Sequence, residues 1–420
     1  MKKNVAAIIL AAGKGKRMKS ALPKVLHPLC ARPMFSYVLD LARGLKIKDV
    51  VAVLGFKHER VRPFLTSGVK AIIQKQLLGT ADAVRQALPA LPSGIKTILI
   101  LYGDIPLLKK ESIEKLLKYH LENNPDATIL TARVEKPSGY GRILRDKYYS
   151  IRGILEEKDA DDFQKEIKEI NTGIICFKKE RLSAAIRQIR LNPRKKEYYL
   201  TDAIEILYKQ GCLVDSVNIT DIDEAMGINS RIDLARADRI MRRRINERLM
   251  KGGVDIIDPD STFIGYGVKI GRDTVIYPFT VIERGVKIGK RCFVGPFIHL
   301  REGTNLADEV TAGNFLEVVR SRISAKTLIK HFSYVGDSRI GKAVNIGAGT
   351  VTANFDGKNK NITVIKDGAF IGSDTILVAP VNIGRQAVTG AGSVVTRGQK
   401  VCDGGIVAGV PARLIKKTDK

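Results

Sequence analysis

Eight aliphatic residues, Ile264, Ile270, Ile276, Ile282, Ile288, Val294, Leu300 and Leu306, stand six apart without a miss. An α-helix repeats its faces every 3.6 residues and a strand every two, so neither accounts for this rhythm. The beat returns as IGKAVN and IGAGTV, then as IGSDTI, LVAPVN and IGRQAV. A hexapeptide repeat suits a parallel β-helix in which each repeat forms one flat face and its aliphatic residue fills the axial core. Interruptions of the rhythm near Lys330 to Val335 and at ANFDGKNKNI read as loops that serve a site or an interface.

Up to about residue 228 the pattern is different. VAAIIL, VVAVL, TILIL, ATILTA and GIICF read as strands, and ARPMFSYVLDLARGL, GTADAVRQAL, KESIEKLLKYHLEN and TDAIEILYKQG as helices. This alternation predicts a doubly wound, Rossmann-like α/β domain with a mostly parallel sheet, which binds ligands beyond the carboxyl ends of its strands. The expected organisation is an α/β domain at 1–228, a basic linker helix at 229–252 and a β-helix at 253–420. In the linker, Ile232, Ala235, Ile240 and Leu249 offer an apolar side. The cluster Arg242, Arg243, Arg244 reads as a solvated face or an anionic-surface contact rather than a nucleic-acid site.

Composition narrows the classes. No apolar run approaches the roughly 18 residues needed to cross a bilayer, so no membrane span is expected. The start, MKKNVAAIILAAGKGK, reads as strand and turn rather than a signal peptide. Five scattered cysteines without a C-x-x-C pair argue against a disulfide framework or zinc site and fit a cytoplasmic setting. The 71 basic and 44 acidic residues leave a net charge of +27, which favours anionic ligands.

LAAGKGKRMKSALPK, Leu10 to Lys24, comes one residue from a Walker A loop, but Met18 stands where the last glycine belongs. Following a strand, the Gly13-Lys14-Gly15 turn can aim backbone amides at a phosphate, with Arg17 and Lys24 adding charge. Asp104 follows the strand TILIL in YGD, a position where a carboxylate either caps the turn or holds a metal.

These motifs, with QKQLLGTADAV, PSGYGRIL, GILEEKDA, EINTGI, EYYLTDAI, GINSR, HFSYVGD and NIGAGTVTANFDG in order, resemble the bifunctional N-acetylglucosamine-1-phosphate uridylyltransferase / glucosamine-1-phosphate N-acetyltransferase family. The resemblance implies a nucleotidyltransferase domain followed by a left-handed β-helix, with UTP and acetyl-CoA as co-substrates and Mg²⁺ as the metal. By this likeness Leu10, Ala11, Ala12, Gly13, Gln74, Gly79 and Thr80 hold uridine, the glutamine through one donor and one acceptor. Tyr102 and Gly103 adjoin Asp104, and Asn229 supplies a second metal oxygen. Arg17 and Lys24 serve the phosphates, while Gly141, Glu156 and Asn171 contact the sugar.

In the second half the likeness makes His331 the base that deprotonates the glucosamine amine, chemistry suited to imidazole. Arg301, Tyr334 and Asn345 position the sugar phosphate, and Ala348, Asn354, Phe355, Ser373 and Ala391 border coenzyme A, in a groove between copies of a homotrimer. Three positions depart from the family: Val319 replaces a lysine, with Arg320 beside it, Phe355 replaces a tyrosine and Gly409 an arginine. They leave a second reading open, a monofunctional sugar-1-phosphate nucleotidyltransferase whose β-helix only trimerises the chain.

Overall fold

The computed structural model describes residues 4–193 and 196–417. Positions 1–3 and 418–420, the ends of the expected outer domains, and 194–195 lie outside the described residues. Two compact units emerge, one drawn from Met1–Leu29 and Pro33–Asp238, the other from Cys30–Arg32 and Arg239–Lys420.

The first unit strings together β1 (Val5–Ala11), α1 (Met34–Gly44), β2 (Asp49–Leu54), β3 (Val69–Ile73), α2 (Thr80–Ala87), β4 (Thr97–Tyr102) and α3 (Lys110–Asn123). It continues with β5 (Ala127–Arg133), β6 (Gly141–Arg145), β7 (Ile151–Leu155), β8 (Glu169–Lys178), α4 (Lys179–Gln188), α5 (Asp202–Lys209) and β9 (Val214–Ile219). The sheet order is β9-β5-β8-β4-β1-β2-β3, with β6 and β7 branching from β8. Only β8 among the seven runs against its neighbours; the pairs β1–β2, β2–β3, β1–β4 and β5–β9 are parallel. Every residue of β1 is buried, as expected for a strand covered on both faces. The chain leaves β1 toward β3 on one side and returns through β4 on the other. The carboxyl ends of β1 and β4 therefore part at a topological switch point, where a crevice forms.

In the second unit, strands of two to four residues build three faces, each pairing in parallel with the one a full coil later, and a final five-residue strand, Arg413–Lys417, turns back antiparallel on Gly405–Ala408. Ile264 faces Ile282, Ile270 faces Ile288 and Ile276 faces Val294, so partners stand eighteen residues, or three hexapeptides, apart. Of the eight aliphatics of the opening rhythm, seven are buried and Ile270 is partly buried. Each of the seven contributes about 1.5–3 kcal/mol of burial free energy. Corners close through buried hydroxyls: Thr274 donates to the Gly289 carbonyl at 2.8 Å and Thr327 to Gly341 at 2.7 Å.

The register departs from its expected place. Ile329 and Val335 keep the six-residue beat, so His331 lies in a regular corner and not in a break. The slips flank it, because Asn305 pairs with Arg322, Leu316 with Ser333 and Tyr334 with Val351, seventeen residues apart. Serine hydroxyls close the shortened corners. Ser321 donates to the Val319 carbonyl at 2.8 Å and accepts from the Ser338 amide at 2.9 Å. The second interruption is a true insertion: Ile340 pairs with Ile365 across an extra loop. Asp356 fixes that loop, accepting from the Lys358 and Asn359 amides at 3.0 and 2.7 Å.

The basic helix α6 spans Arg231–Lys251, and the contact division falls within it, after Asp238. Its buried stripe is Ala237, Ile245 and Leu249, with Met241 partly buried between them. Ile232 and Ala235 are exposed, contrary to the expected apolar side, because at 3.6 residues per turn they fall on the face opposite the stripe through Ala237, Met241, Ile245 and Leu249. Arg242 lies 3.9 Å over the Phe263 ring and Arg243 pairs with Glu247 at 3.6 Å.

Candidate functional site

A crevice of about 540 Å³ opens where β1 and β4 part. Leu10, Ala11, Ala12 and Gly13 run along it as β1 passes into the glycine loop, and Gln74, Gly79, Thr80, Tyr102 and Asp104 line it from β3, α2 and β4. Gly15 has φ +61°, and a Cβ there would sit 2.6 Å from the Lys24 Cβ, so the loop needs glycine to cross the lysine stem. Gly79 has φ +101°, and a Cβ would lie 2.5 Å from the Tyr198 carbonyl oxygen. Gly103 packs behind the crevice, its amide bonded to the Leu10 carbonyl at 2.9 Å.

At the mouth, the Lys24 ammonium donates to Asp104 and, at 3.0 Å, to Asn229 Oδ1. Asn229 is brought there by the Ile228 amide, bonded to the Asp104 carbonyl at 2.9 Å, and by Asp233, which accepts from the Asn229 and Ser230 amides. Lys24 and Asp104 are both mostly buried, which strengthens their attraction relative to a surface pair. The ammonium stands in for a cation held by two hard oxygens, a donor set that fits Mg²⁺. Among the described residues no group of three or more His, Cys, Asp or Glu could hold a metal ion. An ion here would complete its shell from phosphates and water.

Arg17 is exposed, one residue beyond Lys16, the last residue of that loop to line the crevice. The expected sugar contacts lie beside Tyr102. Gly173 approaches its ring, Asn171 Oδ1 accepts from the Gly173 amide at 2.9 Å, and Gly141 pairs with Asn171 across β6 and β8. Thr201 donates to Glu156 at 3.4 Å. Burial pushes the Tyr102 phenol well above its ordinary range, with Asp104 and Glu156 adding to the shift, so it stays protonated beside the crevice. Burial, then the carboxylates of Glu205, Glu156 and Asp159, raise the neighbouring Asp202 to about 6.

Gln74 differs from expectation. Its Nε2 donates to the Gly79 carbonyl at 3.0 Å and to Asp82 Oδ2 at 2.8 Å, so both amide protons are used and only Oε1 remains for a ligand. Neither Asp82 nor the lining residue Glu197 was legible as part of the site. The one available signal was the aspartate three residues after Gly79 in GTADA.

On the β-helix, His331 is exposed at the corner between the faces of Leu328–Ile329 and Ser333–Gly336. Later coils stack beneath it: the Gly349 amide bonds the Phe332 carbonyl, Asp374 bonds Ala348 and Gly392 bonds Ser373. His331, Ala348, Ser373 and Ala391 thus share one edge, which continues to Gly409 through the Val394 amide. Asn345 pairs with Leu328 on one side of this edge, and Tyr334 pairs with Glu317 on the other. Glu317 also accepts from Arg301 at 2.9 Å.

The remaining residues gather at the far end of the Tyr334 face. Arg320 forks onto Asp337 with two bonds of 2.7 Å, and Asn354 donates to the same carboxylate. Both forks of Arg320 are thus taken up by Asp337, and Val319 is buried in the coil. Phe355 is exposed, with Lys360 over its ring at 4.9 Å. The structure separates Asn354 and Phe355 from the Ala348, Ser373 and Ala391 edge within one chain.

A glycine-loop crevice at the switch point of an α/β sheet, followed by a hexapeptide β-helix, is the architecture of a nucleotidyltransferase fused to a hexapeptide transferase. Residues 7–171 match the MobA-like NTP transferase domain, and residues 267–297 match the bacterial transferase hexapeptide repeats. The Bifunctional protein GlmU of Thermosipho africanus (strain TCF52B) is 46% identical, over 93% of this chain and 91% of its own length. Those of Geobacillus sp. (strain WCH70) and Clostridioides difficile (strain 630) are 43% and 40% identical, over 93% and 99% of this chain and 92% and 97% of theirs. The chain belongs to the family of these bifunctional GlmU proteins.

Proposed function

We propose that the chain makes UDP-N-acetylglucosamine in two steps. The β-helix transfers acetyl from acetyl-CoA to glucosamine-1-phosphate, and the α/β unit transfers uridylyl from UTP to the N-acetylglucosamine-1-phosphate formed, releasing pyrophosphate. The convergence of Lys24, Asp104 and Asn229 at the crevice mouth carries the uridylyl reading. Attack of a sugar phosphate on the α-phosphorus needs charge neutralisation and a stabilised leaving group, not a covalent nucleophile. Mg²⁺ held by Asp104 and Asn229 would supply that neutralisation on the phosphates. Lys24, the amides of the glycine loop and Arg17 add positive charge around the triphosphate, while Asn171, Glu156 and the Gly141 backbone receive the sugar.

In the acetyl transfer, His331 takes a proton from the glucosamine amine as it attacks the thioester, and coenzyme A leaves as a thiol. Arg301, Tyr334 and Asn345 orient the sugar phosphate. The coenzyme runs along the Ala348, Ser373 and Ala391 edge. Asn354 and Phe355, on the other edge, reach the same coenzyme from a neighbouring copy in a homotrimer. The exposed stacked rings of Phe279, Phe297 and Phe315, 5.0 and 5.2 Å apart, give such copies apolar surface to cover. Among the described residues no helix is long and apolar enough to cross a membrane, and the free cysteines suit a cytoplasmic setting.

Two assays on the purified chain test this. UTP with N-acetylglucosamine-1-phosphate should release pyrophosphate, and acetyl-CoA with glucosamine-1-phosphate should release free thiol. Pyrophosphate without thiol would leave the monofunctional reading, and pyrophosphate release indifferent to divalent ions would remove the metal role.

A further inference from the structure

Asp82 stands on the first turn of α2, 3% exposed, and every neighbour it meets is a donor. Oδ1 accepts from Arg85, and Oδ2 accepts from Gln86 Nε2 at 2.7 Å and Gln74 Nε2 at 2.8 Å. A carboxylate ion-paired to arginine offers acceptors only, so the end of Gln74 facing it must be the amide nitrogen. The Gly79 carbonyl, 3.0 Å from the same nitrogen, repeats the demand. A flipped amide would oppose oxygen to oxygen at both contacts. Gln74 is thus held with Oε1 as its only group free for a ligand in the crevice it lines.

That polarity distinguishes bases. Uracil and thymine present an N3–H donor, which an amide oxygen accepts. Cytosine presents a bare N3 lone pair, which the same oxygen repels, and a buried polar group left unpaired rejects a ligand strongly. We infer that Asp82 is a positioning residue for base selection: it locks the Gln74 amide so that the crevice accepts N3–H pyrimidine nucleotides and excludes cytidine nucleotides. The inference rests on the uridylyl-transfer reading and deepens it. It assigns Asp82 no contact with the nucleotide.

Replacing Asp82 by asparagine keeps the shape and changes the polarity. Its oxygen goes to Arg85, the stronger donor, and its NH₂ group faces Gln74, so this contact favours the flipped amide while the Gly79 carbonyl still opposes it. The amide loses its single orientation and offers a donor to the crevice in part of the population. Asp82→Ala removes the lock without adding a donor and leaves only the Gly79 carbonyl to hold the amide. The full-length protein and both variants are compared by calorimetric binding of UTP and CTP and by kcat/KM for each nucleotide from pyrophosphate release, with Tm and far-UV circular dichroism confirming the fold. In Asp82→Asn the UTP:CTP ratio should fall by about ten-fold or more, the size of one lost charge-assisted hydrogen bond, through KM rather than kcat. In Asp82→Ala it should fall less. A folded variant that loses UTP and CTP binding by the same factor gives Asp82 a structural role only and overturns the inference, as does an unchanged ratio in both variants. Wild-type protein that neither binds nor turns over UTP would instead refute the underlying reading, and the inference with it.

Discussion

The two units build their sites in opposite ways. In the α/β unit, Lys24 reaches Asp104 across 80 positions and Asn229 across 205, so the crevice mouth exists only when three distant loops converge. On the β-helix, His331, Ala348, Ser373 and Ala391 are brought into line by translation, each coil placing its residue beneath the last. Convergence makes a site that one side chain can abolish. Translation makes an edge assembled one contact at a time, on which most single changes are expected to be graded.

The largest expected effect tests the convergent side. Asp104→Ala should lower pyrophosphate release by about 10³-fold and leave thiol release unchanged; parallel loss of both would show that the sites are not separable. His331→Ala should mirror it, lowering thiol release by about 10³-fold with pyrophosphate release intact. It is the exception on the translated edge because the proposed reading gives the proton transfer to it alone.

Acid should also separate the units, because the two fully buried histidines, His27 and His120, both belong to the α/β unit. Burial, with Lys178 adding to it, lowers His120 to about 4. Between pH 6.5 and 4 the unfolded chain takes up a proton that folded His120 refuses. The stability this residue supplies is therefore complete above pH 6.5 and lost as pH falls toward 4, by about 3 kcal/mol. Urea midpoints of wild type and His120→Asn should converge across that window, and parallel curves would contradict it. Gly79→Ala, forced to a positive φ against Tyr198, should cost about 2 kcal/mol and raise the KM for UTP, read by Tm and initial rates. The smallest effect belongs to the opposite edge of the β-helix: Phe355→Tyr should lower the KM for acetyl-CoA by about three-fold, within the range of one neutral hydrogen bond, without moving kcat.

What the sequence made legible follows the same division. A period-six pattern determines its own coil, so the seven buried aliphatics were readable one by one. In the α/β unit, apolar runs such as VAAIIL and TILIL announced strands, and KESIEKLLKYHLEN coincides with α3. The polar or short strands β6, β7 and β9 carried no comparable signal, and the reversed direction of β8 is a property of the sheet, not of its residues. The Gln74 network stayed hidden because the polarity of an amide depends on which partner the fold brings to it. The seventeen-residue coils stayed hidden because dropping one residue at a serine-closed corner leaves the aliphatics on either side looking regular.

The uniform coils between Ile264 and Leu306 set the increments in which this protein could change length. Excising Val275 through Cys292 would join Thr274 to Phe293, its partner's neighbour one coil on, and restore every ladder pairing downstream. A loss or duplication of eighteen codons there shortens or lengthens the rod while carrying the His331 edge along intact, whereas a single-codon deletion would rotate that edge out of alignment.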